Sequence, residues 1–439
     1  MVLRALSPEE QLTLLSRGTV EILPEAGALL ERLRRCAQEG HPLRVKQGFD
    51  PTAPDIHLGH TVGLWKLRQF QNFGHQVVLI VGDYTGMVGD PSGRSKTRPQ
   101  LTEEEVEAHA RTYLEQFFKV LDPAPAPPCL PVEIHRNGEW FASMQFMDVM
   151  RLASHYTVAR VLERDDFATR MRQQQPISLH ELFYPIMQGY DSVAIRADVE
   201  LGATEQKFNL LVGRVLQEAH GQAPQIAMTL PVLPGLDGVQ RMSKTLGNYV
   251  GVTDEPRDMY GKLMSLPDEA MGTYWELVTD VTGEELAAIK NQLERATRSD
   301  RFTPQELIAA GGFFHMGAGR TPLAMKLKKD LARRIVRMYH GAEAAERAQI
   351  AFEEQFQGRG VPADLLVWSP DAGVHEMGIK DLLVKAGLAR SGSEAWRKLD
   401  EGAVSIDQVR ITDRNHRQSL ASPFVLRLGR RMVRVAPRA

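Results

Sequence analysis

The alternation of strand-like and helix-like segments predicts an α/β fold with a Rossmann-like doubly wound parallel sheet. This alternation extends from Leu43 to about Val250. Within it, Gln76–Gly82 is almost wholly apolar, which is typical of a parallel strand that is covered on both faces. Sheets of this kind bind ligands at the carboxyl ends of their strands, so functional residues are expected in the segments that follow each strand.

Local signals predict the elements of this sheet in order. They give a strand over Leu43–Asp50, a helix from Thr102 to about Val120, a strand over Val132–His135 and a helix over Glu205–His220. Thr102 and Glu105 form a capping box at the start of the former helix. Gly221 marks the end of the latter helix, because glycine adopts the left-handed conformation in which many helices end.

The length of 439 residues exceeds what a single core fills and predicts about three domains. Strand-like runs disappear after Val252, and prolines and glycines cluster between residues 358 and 374. We therefore expect a sheet-containing domain over 1–252, an α-helical domain over 253–357, a linker over 358–374 and a small α+β domain over 375–439.

Composition and charge exclude several classes of protein. Hydrophobic residues make up 43% of the chain and charged residues 25%, and no apolar run approaches the roughly 20 residues that cross a bilayer. Cys36 and Cys129 are too few for a disulfide framework or a zinc cluster, so we expect a cytoplasmic protein without a metal site. Residues 377–439 carry 13 Lys and Arg against 6 Asp and Glu, which favours a polyanion as partner.

Two histidines stand at the start of a predicted amphipathic helix, in the sequence His57-Leu58-Gly59-His60. The helix follows the first strand, so its N-terminus lies at the ligand-binding edge of the sheet. Unpaired backbone N–H groups and a partial positive charge at that end suit a polyphosphate. Many surface helices carry two histidines without such a role, so the interpretation depends on the rest of the chain.

A second short segment reads Arg241-Met242-Ser243-Lys244-Thr245. Its small residues and its lysine suit a mobile loop that closes over developing phosphate charge. An ordinary basic loop explains the segment equally well when it is taken alone. The combination of both segments, in this order and at this spacing, favours phosphate chemistry.

Polar residues follow two of the predicted strands. In Gly48–Pro54, Asp50 and Thr52 are placed to hydrogen-bond a substrate, although the same residue types also form plain turns. Asp198–Asn209 is another junction between a strand and a helix, and its Gly202 suits an adenosine that lies against the backbone.

The glycine-rich segment Gly82–Gly93 follows the buried second strand. Its Asp90 is the natural carboxylate for an ammonium group. Arg94, Lys96 and Arg98 come next, and they suit either pyrophosphate or the surface of a solvated loop.

A third cluster lies on a predicted helix. Tyr184, Gln188 and Asp191 are spaced at i, i+4 and i+7, so their side chains project from one face. A phenol, an amide and a carboxylate on one face are too polar for core packing, so this face either lines a pocket or is exposed.

These segments resemble the signature sequences of class I aminoacyl-tRNA synthetases, and the chain is similar to the bacterial tyrosyl-tRNA synthetases over nearly its whole length. The similarity rests on Phe49–His60, on Arg241–Thr245 and on the order of the motifs. It implies that tyrosine is activated by ATP, with Mg²⁺ accompanying the nucleotide, and is then transferred to tRNA(Tyr). It also implies a homodimer and no permanently bound cofactor.

The resemblance assigns roles to individual residues. Those implied in catalysis on the phosphates are His57, His60, Thr52, Lys244, Thr245, Arg94 and Arg98. Those implied in ATP binding are Asp50, His57, Gly59, His60, Gly202, Glu205, Arg241, Met242, Ser243 and Lys244. Those implied in tyrosine binding are Asp90, Tyr184, Gln188 and Gln206, together with Asp191 at the phenolic hydroxyl.

Several positions depart from the commoner pattern of that family. Lys46 stands where many tyrosyl enzymes place a tyrosine that contacts the substrate hydroxyl, and it is kept as a candidate for tyrosine binding. Glu205 replaces an aspartate that bonds the ribose, and Ala203 replaces a glycine. Arg241 and Thr245 are conservative variants of a lysine and a serine.

The C-terminal segment resembles an RNA-binding domain first described in a small-subunit ribosomal protein. The resemblance covers Met377–Leu383, Ser391–Leu399 and Gly402–Ile406. It implies that Arg390, Arg397 and Lys398 bind tRNA. By analogy, the helical block 253–357 is expected on the anticodon side.

Three alternatives remain beside the tyrosyl assignment. Tryptophanyl-tRNA synthetases share the fold, but they usually lack the C-terminal unit and the face formed by Tyr184, Gln188 and Asp191. A synthetase-derived RNA-binding protein without catalysis is disfavoured by the intact His57 and Lys244. Small nucleotidyltransferases with paired histidines are far shorter than this chain.

Overall fold

A six-stranded sheet organises the N-terminal half of the protein, and all but one of its strands are parallel. The strands are β1 Glu21–Leu23, β2 Arg44–Phe49, β3 Gln76–Val81, β4 Glu133–Arg136, β5 Val199–Ala203 and β6 Ile226–Leu230. Their order is β1-β6-β5-β2-β3-β4, and only β1 runs antiparallel to its neighbour. The predicted doubly wound sheet is confirmed.

The computed structural model describes residues 6–92, 102–298, 322–354, 365–370, 374–407, 409–429 and 431–436. The chain divides into two compact units, with the division between Glu346 and Arg347. None of the described helices combines the length and the apolar character that a membrane crossing requires.

Helices pack around the sheet and continue beyond it, and the last helix of the following series spans the division at Glu346. They are α1 Pro8–Ser16, α2 Ala26–Glu39, α3 Leu58–Asn72, α4 Asp83–Val88, α5 Glu103–Phe117, α6 Gly138–Phe141, α7 Phe146–Ser154, α8 Val158–Val161, α9 Asp165–Arg172, α10 Leu179–Ile195, α11 Lys207–Ala219, α12 Pro256–Met264, α13 Met271–Leu277, α14 Gly283–Arg298, α15 Pro322–His340 and α16 Ala342–Phe352. Two short 3₁₀ turns cover Thr204–Gln206 and Asp268–Ala270. Between Leu230 and Val367, the regular elements of the described residues are all helical.

Strand β2 lies where the order of the strands reverses. Strands β3 and β4 follow on one side of it, whereas β5 and β6 lie on the other side. The carboxyl ends of the central strands, at Phe49, Val81 and Ala203, therefore open onto a common crevice.

Burial explains why α3 forms where it does. Leu58, Leu64, Leu67 and Phe70 recur at helical spacing and are completely buried. Each such side chain stabilises the fold by about 1.5–3 kcal/mol through burial. The stripe fixes the rotation of the helix and thereby the direction of its N-terminus.

The predicted boundaries of two helices agree closely with the structure. Thr102 caps α5 through the expected capping box with Glu105. The helix ends at Phe117, and turns then carry the chain to Val120. Helix α11 begins at Lys207, because the residues before it form a 3₁₀ turn.

The second unit combines two helices with two small sheets. Its elements are β7 Val367–Trp368, β8 Glu376–Gly378, α17 Ile379–Lys385, α18 Gly392–Asp400, β9 Val404–Ile406, β10 Val409–Arg410, β11 Arg417–Ser419, β12 Phe424–Leu428 and β13 Arg431–Val435. One sheet has the order β10-β9-β12-β13-β7, and the other pairs β11 with β8. Ile379, Leu382, Leu399 and Leu426 are fully buried at its centre, so this unit has its own core. The finer domain boundaries at residues 252, 357 and 374 stay predictions.

Candidate active site at the carboxyl ends of the strands

A cavity of about 600 Å³ opens at the carboxyl ends of the parallel strands. Its wall is built by the segments that follow β2, β3, β4, β5 and β6, and by α10. The candidate residues that line it are Asp50, Thr52, His57, Gly59, His60, Asp90, Tyr184, Gln188, Asp191, Gly202, Glu205, Gln206, Arg241, Met242, Ser243, Lys244 and Thr245. Residues from distant parts of the sequence therefore meet in one place.

The two histidines at the start of α3 are neutral hydrogen-bond donors. Nδ1 of His57 accepts from the backbone N–H of Gly59 at 3.2 Å, and Nδ1 of His60 accepts from that of His57 at 3.1 Å. Burial, aided by the nearby charge of Lys244, lowers the pKa of His57 to about 2 and the pKa of His60 to about 4. Each ring therefore carries its proton on Nε2 at neutral pH.

The segment Arg241–Thr245 places a lysine at the cavity. Nζ of Lys244 lies 3.8 Å from Oδ2 of Asp55, and its side chain is 27% exposed. Partial burial lowers the pKa of Lys244, and the charge of Asp55 opposes this effect. Asn248 holds the segment, because its Oδ1 accepts from the N–H of Ser243 at 2.8 Å. Lys244 therefore projects from a short loop whose backbone is anchored by Asn248.

Asp50 joins two other side chains of the cavity region. Its Oδ2 accepts from the hydroxyl of Tyr184, and its Oδ1 accepts from Oγ1 of Thr85, both at 2.8 Å. Thr85 in turn accepts from Nδ2 of Asn137 at 2.9 Å. These bonds fix the phenol of Tyr184 as a donor toward Asp50.

Asp191 lies at the closed end of the cavity. Its Oδ1 accepts from Nε1 of Trp140 at 3.0 Å, and its Oδ2 accepts from Nδ2 of Asn137 at 3.5 Å. Burial raises the pKa of Asp191 to about 7, although the charge of Lys46 and the two donors oppose this rise. A ligand group that donates a hydrogen bond here favours the ionised carboxylate.

Lys46 is the one tyrosine-binding candidate that does not line the cavity. Its side chain is fully buried, its Nζ donates to the carbonyl oxygen of Gln188 at 3.0 Å and to Oγ of Ser192 at 2.7 Å, and it pairs with Glu200 at 3.0 Å. Lys46 is therefore absent from the lining of the cavity, although its charge acts on Asp191, which lines it. A contact between Lys46 and the ligand stays a prediction.

Some candidates lie outside this cavity for other reasons. Arg94 and Arg98 lie outside the described residues. Arg390, Arg397 and Lys398 belong to the second unit, where Lys398 pairs with Glu401 on the surface. Among the described residues, no group of His, Cys, Asp and Glu could hold a metal ion.

Sequence reasoning missed Asn137, Trp140, Thr85 and Asn248. Asn137 follows the end of β4, and this position at the carboxyl end of a predicted strand was a usable signal. Trp140 and Asn248 do not stand in any recognisable motif. Trp140 acts through Asp191, which is 51 positions away, and Asn248 acts through Ser243 and Asp237, which are 5 and 11 positions away.

Comparisons with known proteins agree with this geometry. Residues 38–310 match the family described as tRNA synthetases class I (W and Y). A tyrosine–tRNA ligase of Moorella thermoacetica is 52% identical over 423 residues, which cover 96% of this chain and 94% of that relative. A tyrosine–tRNA ligase of Salinibacter ruber is 49% identical over 434 residues, which cover 98% and 97%.

Solved structures support the fold. The C-terminally truncated mitochondrial tyrosyl-tRNA synthetase of Aspergillus nidulans superposes with a TM-score of 0.61 at 19% identity, covering 80% of this chain and 94% of that one. The tyrosyl-tRNA synthetase of Archaeoglobus fulgidus in complex with L-tyrosine gives a TM-score of 0.57 at 19% identity, covering 78% and 99%.

The raised pKa of Asp191 predicts a pH-dependent contribution to stability. Its pKa is about 7 in the folded chain and about 3.9 in an unfolded one. Between these values the folded state holds one proton more, so this group lowers the free energy of unfolding as the pH rises, by up to about 1.4 kcal/mol per pH unit.

Asp191→Asn removes the titrating group. The free energy of unfolding of the variant minus that of the unchanged chain should therefore be larger at pH 8 than at pH 5. Urea unfolding of both proteins at the two pH values measures this quantity. The same difference at both pH values would contradict the raised pKa.

Proposed function

Since the chain belongs to the class I tRNA synthetases of the tryptophan and tyrosine group, we propose that it is a tyrosine–tRNA ligase. The observation that carries the proposal is the single cavity in which the paired histidines and Lys244 meet the polar face of α10. Relatives that are named tyrosine–tRNA ligases align with nearly the whole chain and support the same assignment.

The first step forms tyrosyl-adenylate. A carboxylate oxygen of tyrosine attacks the α-phosphorus of ATP, and the bond to the bridging oxygen breaks, so that pyrophosphate leaves with the electron pair. His57 and His60 donate Nε2–H bonds to the phosphates, and Lys244 meets the charge that develops on the leaving group. Mg²⁺ enters with ATP as part of the substrate.

The remaining candidates complete this step. Thr52 and Thr245 add hydroxyl donors at the phosphates, and Arg94 and Arg98 are proposed as further cations for pyrophosphate. Asp50, Gly59, Gly202, Glu205, Arg241, Met242 and Ser243 are proposed to line the nucleotide. In the second step a hydroxyl of the terminal ribose of tRNA(Tyr) attacks the tyrosyl carbonyl, and AMP leaves.

Tyrosine is proposed to lie between Asp90 and Asp191. Asp90, Gln188 and Gln206 surround its ammonium group, and the oxygen of Tyr184 adds an acceptor. Asp191 accepts the phenolic O–H at the closed end, where a side chain without a hydroxyl leaves the carboxylate without this donor. This donor requirement favours tyrosine over phenylalanine, whose ring carries no donor.

Exchange of labelled pyrophosphate into ATP tests the function directly. Each of the twenty amino acids is supplied in turn to the purified full-length protein. Exchange should depend on tyrosine and be far weaker with phenylalanine or tryptophan. Activation of tryptophan in preference to tyrosine would establish the tryptophanyl alternative, and no exchange with any amino acid would support a non-catalytic RNA-binding protein.

Lys244 should act on the transition state more than on bound substrates. Lys244→Ala removes a cation that meets charge only as pyrophosphate leaves, so the rate of adenylate formation should fall by about 10²–10³. Dissociation constants for ATP and tyrosine, measured by equilibrium binding, should change by less than about threefold. Equal losses of affinity and rate would show that the loop only binds substrate.

An exposed apolar surface supports the proposed homodimer. Large apolar side chains are exposed on four successive helices of the first unit: Phe146, Met147 and Met150 on α7, Val158 on α8, Met171 on α9 and Leu179 on α10. Exposed apolar surface of this kind marks interfaces between chains. We propose that a second copy of the chain covers it, and that the protein acts in the cytoplasm, where its substrates are.

The second unit is proposed to hold tRNA through its basic side chains. Changing Arg390, Arg397 and Lys398 together to Gln should leave tyrosine-dependent exchange intact. The KM for tRNA in charging should rise, and the dependence of tRNA binding on salt should become shallower by about one unit of log–log slope for each phosphate contact that is lost.

A triple change of Arg34, Arg35 and Lys290 to Gln is the matched control, because it removes the same charge from exposed positions of the first unit. An equal loss of tRNA affinity in both triple variants would indicate a general charge effect and contradict a specific role of the second unit.

A further inference from the structure

A hydrogen-bonded chain behind the cavity begins at a buried arginine. Arg164 lies between α8 and α9 and is only 4% exposed. Its Nη1 donates to Oδ1 of Asn209 at 2.8 Å, and its Nη2 donates to Oγ of Ser92 at 2.9 Å. None of these three residues lines the cavity.

Arg164 is itself firmly held. Its Nε and Nη2 donate to the two carboxylate oxygens of Asp166, each at 3.0 Å. Its guanidinium carbon lies 5.1 Å from the centre of the Phe167 ring and 5.6 Å from that of Phe208. The side chain is therefore a fixed starting point for the bonds that follow.

From Asn209 the chain reaches the side chains proposed to bind the ammonium group. Nδ2 of Asn209 donates to Oε1 of Gln188 at 2.8 Å and to Oε1 of Gln206 at 3.0 Å. Nε2 of Gln206 then donates to Asp90 at 2.7 Å, and Nε2 of Gln188 donates to Glu200 at 3.1 Å. Two branches thus end on two carboxylates.

The direction of every bond in this chain follows from its ends. A guanidinium only donates, so the atom of Asn209 that faces Arg164 is the oxygen and its NH₂ group faces the glutamines. Both glutamines must then present Oε1 to Asn209. Their NH₂ groups face Asp90 and Glu200, which accept as carboxylates.

Ser92 supplies a second connection to the same place. Its hydroxyl oxygen accepts from Arg164, and its backbone N–H donates to Oδ1 of Asp90 at 2.9 Å. Asp90, Gln188 and Gln206 are therefore all linked to Arg164 through a single intervening residue.

We propose that Arg164 is a positioning residue for the amino-acid substrate, because it fixes the amide orientation of Asn209, whose NH₂ group then holds the Oε1 atoms of Gln188 and Gln206 in place as acceptors for the ammonium group. The inference rests on the proposed function, in which this group belongs to tyrosine. A reversed Asn209 amide would turn its oxygen toward the Oε1 atoms of both glutamines, displace them and weaken the binding of the cation.

Replacement of Arg164 by two different residues tests this role in the full-length protein. Arg164→Gln introduces a group that either donates or accepts, so the amide of Asn209 is free to reverse and to withdraw its donor from both glutamines. The KM for tyrosine in pyrophosphate exchange should rise about tenfold or more, whereas the KM for ATP and kcat should stay within about threefold. Arg164→Lys only donates, and its KM for tyrosine should stay within about threefold of that of the unchanged protein.

A ligand without the ammonium group separates positioning from general damage. As an inhibitor, 3-(4-hydroxyphenyl)propionate keeps the phenol and carboxylate of tyrosine, so its inhibition constant should be the same for Arg164→Gln and the unchanged protein. A parallel weakening of this inhibitor and of tyrosine would overturn the proposal.

Arg170→Gln is the matched control. Arg170 is also buried and packs near Phe167, but its guanidinium donates to Glu181 and Pro176, neither of which lines the cavity. An equal rise in the KM for tyrosine in both Gln variants would show that the effect is structural and overturn the proposal. An equal loss in the Lys and Gln variants of Arg164 would also overturn it.

Ser92→Ala keeps the test decisive if Arg164→Gln does not fold. It removes one bond of Arg164, worth about 1 kcal/mol, and should raise the KM for tyrosine about fivefold, and a KM within about twofold of that of the unchanged protein would overturn the proposal. Absence of tyrosine-dependent exchange in the unchanged protein would overturn the proposed function itself. Exchange with an unaltered KM in the variants would overturn only the role of Arg164.

Discussion

The buried carboxylate of Glu200 is the constraint on which the wall of the cavity depends. It accepts from Gln188, Ser192 and Gln225 and pairs with Lys46, so that it joins β5 to β2, to α10 and to the segment before β6. A buried charge is tolerated only when such partners surround it, and removal of one partner typically costs about 3–5 kcal/mol. The strands and α10 are therefore held in one arrangement by an electrostatic requirement that packing alone does not impose.

Neutral and charged groups are divided between the two ends of the cavity. At the end proposed for the phosphates, the buried imidazoles are uncharged donors, and Lys244 supplies a positive charge from a loop. Uncharged donors bind a polyphosphate without adding a further buried cation, which burial would disfavour. At the opposite end, Asp191 has a pKa near neutrality, so its charge depends on the group that it meets. The charge at the Asp191 end of the cavity thus depends on the ligand, whereas the histidines at the other end stay neutral.

The sequence predicted the sheet, the two signature segments and 17 of the 36 residues that line the cavity, because strand ends and helical spacing are local patterns. It did not reveal the buried ion pair of Lys46 with Glu200, because the two residues are 154 positions apart in the chain. Arg164 was also missed, because the run of charges around it is typical of a solvated surface. Its partners Asn209 and Ser92 lie 45 and 72 positions away, and only the folded chain brings them together.

The one-way chain of amides has a consequence for how this site can change during evolution. Because each bond takes its direction from its neighbour, positions 164, 209, 188 and 206 are not independent. A substitution that brings an acceptor to position 164 disturbs residues that it never touches, and a compensating donor at position 209 would be needed at nearly the same time. A variant that carries only one of the two substitutions would bind the amino acid poorly. Stepwise change of the proposed amino-acid pocket is therefore disfavoured.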